Sequence, residues 1–333
     1  MKHLRQLSLD GLRGIAAFSV VIYHYFYRID EIYGIGSNEM DWTYFGKFGV
    51  HLFFMISGFV IFMSISKETK PINFIISRFS RLYPAYFFAV IITFTIVYIF
   101  GLQGREVKIF DALLNLLMFQ EFLGIPHVDG VYWTLTVEIT FYFWCLILIL
   151  LKKTELLTLM LFSFLFLSFT SEVLPENIYK IIGKLFLINY ISFFLLGIVT
   201  YKLKKENLNC RNIFPIFLIF IMLFINNKNE DFIVYSVIYI FFLLGVYDAI
   251  KFLKLKIFIF FGEISYSLYL VHQNIGYVII TKMMNAEFPK LVAALVALIT
   301  SIFLAKLIYI YIEVKLGKFI KHYLNNKLKE VKI

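Results

Sequence analysis

Apolar residues come along this chain in ten blocks, at roughly 11–28, 47–66, 82–101, 131–151, 154–171, 185–201, 212–226, 232–250, 257–280 and 291–313. Each block is read as a spanning segment, a ~30 Å hydrocarbon layer taking about 20 residues at about 1.5 Å of rise per residue. Short polar stretches separate them. The longest stretch, 102–130, holds DALLNLLMFQEFL, whose apolar positions repeat with helical spacing over too few residues to cross. An amphipathic or re-entrant segment is expected there. The pattern predicts an all-α integral membrane bundle of about ten transmembrane helices, with 1–333 forming one membrane domain and 314–333 a basic tail.

Ten crossings place both termini on one side of the bilayer. On that side fall 21 of the 32 lysines and arginines; nine fall on the other, and Arg13 and Lys306 lie within spans. Basic residues collect in cytoplasmic loops, so cytoplasmic termini are expected. The same bias accounts for the net charge of +10, and no nucleic-acid partner is expected. Composition agrees with a lipid-bilayer protein: 61% of residues are hydrophobic and 16% charged, against about 25% charged in soluble domains. No short apolar stretch with a small-residue cleavage site opens the chain, so the first helix is expected to be retained. Cys145 and Cys210 are far apart, form no metal or redox motif and are expected as unpaired thiols. No metal site is expected.

Ionisable residues inside spans are where chemistry is sought, because they usually face a bundle interior or a watery cavity. Arg13 and His24 stand eleven residues apart in the first block, which on an α-helix returns to within roughly 20° of one face and separates them by about 16 Å. Either could serve structure alone, Arg13 by snorkelling and His24 by a bond across the bundle. Their shared face favours one functional cavity. His51 lies near the outer end of the second block and is read as a solvated or packing residue, and Ser57-Gly58 as a small pair allowing close backbone approach. Arg78 and Arg81, three apart in a loop reading ISRFSRLYPAYF, form either a two-pronged phosphate clamp or a topology signal. Glu138 sits about 10 Å inside the fourth block, with Tyr142 one turn further on. The ninth block carries Glu263, Ser265, Tyr266, Tyr269 and His272, a seam that either binds helices together or lines a site. Lys306 is read as snorkelling.

Four stretches together resemble the acyltransferase-3 family of membrane acyltransferases. They are LDGLRGIAA with Arg13 and then His24; Arg78-x-x-Arg81 followed by Leu-Tyr-Pro; Trp133-Thr134-Leu135-x-x-Glu138; and GEISYSLYLVH ending at His272. FFMISGF in the second block is similar to that family as well, and the likeness runs from residue 7 to about residue 315. No SGNH-type hydrolase domain of the kind some members carry is expected in the stretch after residue 315.

The resemblance implies an O-acetyltransferase of the bacterial cytoplasmic membrane, moving an acetyl group from cytoplasmic acetyl-CoA to a hydroxyl of an exported or surface carbohydrate. No permanently bound cofactor is expected; acyl-CoA is a substrate. Arg13, Arg78 and Arg81 would bind the donor. His24 would be general base or transient acyl carrier, Glu138 would orient it, and His272 is a further catalytic candidate. Trp133, Thr134, Tyr142, Ser265, Tyr266 and Tyr269 are candidates for the substrate pocket, and Tyr266, Tyr269 and backbone amides at helix breaks are the candidates for oxyanion donor. A glycan transporter or flippase is the rival reading, although no inverted repeat or pair of interrupted helices is visible. A structural membrane subunit is another, but it would not need ionisable residues on shared faces of several helices.

Overall fold

The computed structural model describes residues 6–35, 40–65, 69–206 and 210–330. Lys2, Arg5, Lys67 and Lys332, which entered the charge count, lie outside the described residues, as do the side chains of Cys210, Arg211 and Lys329. Among the described residues there is no strand. In chain order the α-helices are α1 (Leu7–Ile22), α2 (Ile29–Tyr33), α3 (Gly49–Ser64), α4 (Pro71–Phe100), α5 (Ile109–Asn115), α6 (Trp133–Leu150), α7 (Leu157–Phe166) and α8 (Glu176–Leu185). Then follow α9 (Ile191–Glu206), α10 (Cys210–Asn226), α11 (Asn229–Val246), α12 (Lys256–Val271), α13 (Gln273–Asn285), α14 (Lys290–Leu307) and α15 (Gly317–Glu330).

Among the described residues, five helical stretches are long and apolar enough to cross a membrane: Asp41–Ser64, Pro71–Phe100, Gly130–Leu150, Asn229–Val246 and Lys290–Leu328. The other apolar blocks fall on helices that are shorter, interrupted or more polar. Several boundaries differ from the sequence expectation for physical reasons. Arg78 and Arg81 stand in a helix rather than a loop, since Pro71 suits a first helical turn and no glycine or proline interrupts the chain until Pro84. The apolar stretch after residue 108 is helical only through Asn115, and Met118 then turns the backbone with φ of 61°. Block 154–171 divides among two 3-10 turns and the ten-residue α7. Block 257–280 is broken at His272 into α12 and α13. The basic tail is helical as far as Glu330.

The described residues pack as two compact units. The first comprises the described parts of Met1–Ala16, Phe48–Pro71 and Val137–Ile259. Its centre is the contact of α3 with α9, where two glycines let backbones meet. A Cβ on Gly58 would fall 2.2 Å from the Phe194 carbonyl oxygen, and one on Gly197 would fall 2.0 Å from that of Met55. The small pair at Ser57-Gly58 is thus a packing device. His51 lies among the rings of Phe193, Tyr235 and Phe48, with centroids 4.4, 4.9 and 5.5 Å away, so its surroundings are aromatic packing.

The second unit comprises Ala17–Lys47, Ile72–Thr136 and the described part of Phe260–Ile333. Here α13 packs on α14, and Tyr25 lies against Gly276 so closely that a Cβ there would fall 2.3 Å from the phenol oxygen. Pro84 lacks the N–H that would bond to the Ser80 carbonyl one turn back. That carbonyl faces Gly317, whose missing Cβ would stand 2.6 Å from it. Lys306 lays its ammonium over the rings of Phe260 and Tyr309, at 5.1 and 5.3 Å.

Candidate active site

His24 and His272 come together in the second unit. The α-helical spacing of α1 ends at Ile22; Tyr23–Arg28 is a π-helical turn, in which the Ile29 N–H bonds five residues back to the His24 carbonyl. Single π turns add a residue to the helix and re-aim side chains, and they occur often at functional sites. His24 lies in this turn, buried to 9% exposure, and His272 is fully buried at the α12–α13 break.

The hydrogen bonds assign the tautomers. His272 Nδ1 lies 3.1 Å from the Leu268 carbonyl oxygen and 2.9 Å from that of Tyr269. Both are acceptors only, so His272 Nδ1 carries a proton, and in the neutral ring Nε2 carries the lone pair. His272 Nε2 is 3.1 Å from His24 Nδ1, which is also 2.8 Å from the Val20 carbonyl oxygen. With acceptors on both sides, His24 Nδ1 must be the N–H. His24 Nε2 is then left with its lone pair, and among the described residues no hydrogen bond occupies it. An imidazole held by one nitrogen, with the other basic, is the state that a general base or nucleophile requires.

The joint at His272 is secured by residues that sequence reading passed over. The Tyr25 hydroxyl donates to the His272 carbonyl at 2.8 Å and lies 2.8 Å from Ser301 Oγ. Asp129, fully buried just before the helical stretch Gly130–Leu150, accepts the Val131 N–H at 3.2 Å and the Asn274 N–H at 3.0 Å. Burial pushes its carboxyl from 3.8 up to about 7, against the opposing pull of these two amides and of Arg105 and His127. Gly130 allows Gln273 Oε1 and Arg105 Nη1 to come within 2.7 and 2.9 Å of where its Cβ would be. The signal for these residues was present as polar HVDG before one apolar block and HQN inside another.

The other expected residues distribute as follows. Thr134 Oγ1 lies 3.1 Å from the Tyr269 hydroxyl and donates to the Val131 carbonyl at 2.9 Å, so these two pocket candidates do meet. Tyr266 donates to the Leu82 carbonyl at 2.9 Å, and Ser265 to that of Gly262 at 2.8 Å within its own helix. Arg78 and Arg81 are half-buried on α4, and Arg78 Nη2 donates to Ser77 Oγ at 3.0 Å. Within the first unit, Glu138 Oε1 accepts from the Tyr142 hydroxyl and from Ser57 Oγ at 3.4 Å. Arg13 is there too, with Nη1 3.6 Å from Asp10 Oδ1. Trp133 opens α6.

Comparison with known proteins decides the family: residues 6–310 match the acyltransferase domain of acyltransferase-3. The chain belongs to that family. A protein of Acidianus two-tailed virus, provisionally named an acetyltransferase, is 26% identical over 279 residues, covering 78% of this chain and 80% of the viral one. The acyltransferase MdmB of Streptomyces mycarofaciens is 30% identical over 153 residues, 42% of this chain and 38% of that protein. No solved structure matches. This acyltransferase-3 protein is therefore a membrane acyltransferase, helical and without strands among its described residues.

Proposed function

We propose that this acyltransferase moves an acetyl group from cytoplasmic acetyl-CoA to a hydroxyl of an exported or cell-surface carbohydrate, in a bacterial cytoplasmic membrane crossed ten times with both termini inside. The observation that carries the catalytic part is the bond between His24 Nδ1 and His272 Nε2, which leaves His24 Nε2 as the basic nitrogen. In the transfer, His24 Nε2 takes the proton of the acceptor hydroxyl while its oxygen bonds to the acyl carbon. The carbon–sulfur bond breaks and the proton passes to the sulfur, releasing the CoA thiol. The same lone pair could instead carry the acyl group between donor and acceptor, in two such steps. His272 disperses the charge that develops on the His24 imidazole. Arg13, Arg78 and Arg81 retain the donor-binding role that the family motif implies, through charge-assisted bonds to phosphate. Acetyl rather than a longer acyl group follows the name of the viral relative.

The test is transfer of label from acetyl-CoA to bacterial surface polysaccharide by the protein in lipid nanodiscs. His24→Gln keeps hydrogen-bonding capacity and loses proton transfer, so turnover should fall by roughly 10²–10⁴-fold with insertion unchanged. A correctly inserted His24→Gln protein with near-normal turnover would overturn the mechanism. Denaturation and rapid desalting near neutral pH in the absence of acceptor separate the two chemical routes, because only an acyl carrier leaves label on the protein, as an acyl-imidazole that acid would hydrolyse.

A further inference from the structure

The break that presents His272 is made by a helix start with no cap of its own. His272 occupies the position before α13, and its side chain makes no capping bond. The first amides of a helix have no partner within the helix and need one elsewhere. The Asn274 amide finds it in Asp129 Oδ2, 145 positions away in sequence, while Oδ1 of the same carboxyl holds Val131 at the start of the helical stretch entering α6. The Asn274 side chain closes the loop by donating Nδ2 to the Val128 carbonyl at 2.9 Å. From the other side the Tyr25 hydroxyl holds the His272 carbonyl. Tyr25 is next to His24 in the chain, so one residue couples the π turn to the break.

We propose that Asp129 is a positioning residue for acyl transfer, tying the first turn of α13 to the segment entering α6, so that His272 Nε2 stays where it accepts the His24 Nδ1–H; the proposal rests on the His24 mechanism above. A buried carboxyl is unfavourable unless it is hydrogen-bonded, and each oxygen of Asp129 has an amide to hold. Loss of either tether lets the break relax. His272 then swings from His24, whose Nδ1–H is left with the Val20 carbonyl as its one acceptor and whose Nε2 loses basicity. A displacement of about 1 Å in such a constellation lowers rate by up to about 10²-fold. Tyr25 acts in the same sense through the His272 carbonyl.

The experiment compares wild type, Asp129→Asn and Tyr25→Phe in nanodiscs by two readouts. Asparagine keeps one acceptor and turns an NH2 toward the other amide; phenylalanine keeps the ring that Gly276 accommodates and loses only the hydroxyl. In transfer assays kcat should fall about 10- to 100-fold while KM for acetyl-CoA and for acceptor stays within about twofold, since neither side chain is assigned to substrate. In the absence of substrates, carbethoxylation of His24 by diethyl pyrocarbonate, followed by mass spectrometry, should slow at least about threefold, because the reagent attacks the Nε2 lone pair, which is more nucleophilic while Nδ1–H donates to two acceptors than to one. Wild-type kcat and wild-type labelling in both folded variants would overturn the proposal. Slowed labelling together with a wild-type protein that transfers nothing would sink the acyl-transfer reading and leave the positioning role standing. Should Asp129→Asn not be recovered folded, Tyr25→Phe carries both readouts.

Discussion

At the scale of single residues, the sequence made His24 and His272 visible because histidine in an apolar helix is rare and hard to place against lipid. Their direct contact was not visible: 248 residues separate them, and helical spacing relates only positions on one helix. Glu138 was expected to orient His24; the groups that hold His24 Nδ1 are the Val20 carbonyl and His272 Nε2. Asp129 escaped notice because an acid in a polar loop is ordinarily solvated, whereas this one has no exposed surface. Its carboxyl, raised from 3.8 to about 7 by burial, binds its proton more tightly folded than unfolded. Arg105 and His127 oppose that shift without cancelling it. The sign follows: the proton contributes its full stabilisation below the unfolded value, and that stabilisation is lost as pH rises through about 7. The midpoint of thermal unfolding in detergent should therefore fall between pH 4 and 7 more steeply for wild type than for Asp129→Asn. Parallel pH curves for the two proteins would contradict the burial argument.

At the scale of elements, apolar periodicity located the helices and blurred their ends. It carried α4 only from residue 82, because the stretch from Pro71 to Arg81 is polar enough to read as loop although its residues favour helix. It joined α12 to α13, because the groups bonded at the His272 break, Asp129 and Tyr25, lie elsewhere in the chain. The π turn at Tyr23–Arg28 leaves no mark on a pattern read at 3.6 residues per turn. Small residues were more legible. Gly58 was read as permitting close approach, and its partner Gly197 on α9 completes a contact in which each glycine faces a carbonyl oxygen. Gly197→Ala would put a methyl 2.0 Å from the Met55 oxygen and 2.7 Å from the Phe59 nitrogen, both backbone atoms that cannot rotate away. The helices would have to part, at about 1–3 kcal/mol or more. Thermal denaturation should show a lowered midpoint for Gly197→Ala and for Gly58→Ala. A double variant no worse than either single one would mean that the two glycines relieve one shared contact.

At the scale of the whole molecule, topology is the property that charge distribution addresses most directly. With 21 basic residues on the side that the ten-span reading gives to the termini and nine on the other, a reporter fused after Ile333 or in the connection at Lys204 should read cytoplasmic, and one at Asn229 should read the opposite side. A cytoplasmic signal at Asn229 would remove the ten-span arrangement. Hydropathy and motif by themselves determined that the chain is helical, belongs in a bilayer and carries acyltransferase-3 signatures, because burial in lipid and recurrent motifs are written in local composition. Tertiary structure decided which polar residues share a site. It placed His272 against His24, gave Asp129 two amides from different elements and turned Tyr266 to the Leu82 carbonyl. The physical reason is that an imidazole's tautomer and a carboxyl's protonation depend on what lies within about 3 Å in space, and neighbours at that range come from segments that sequence order keeps far apart.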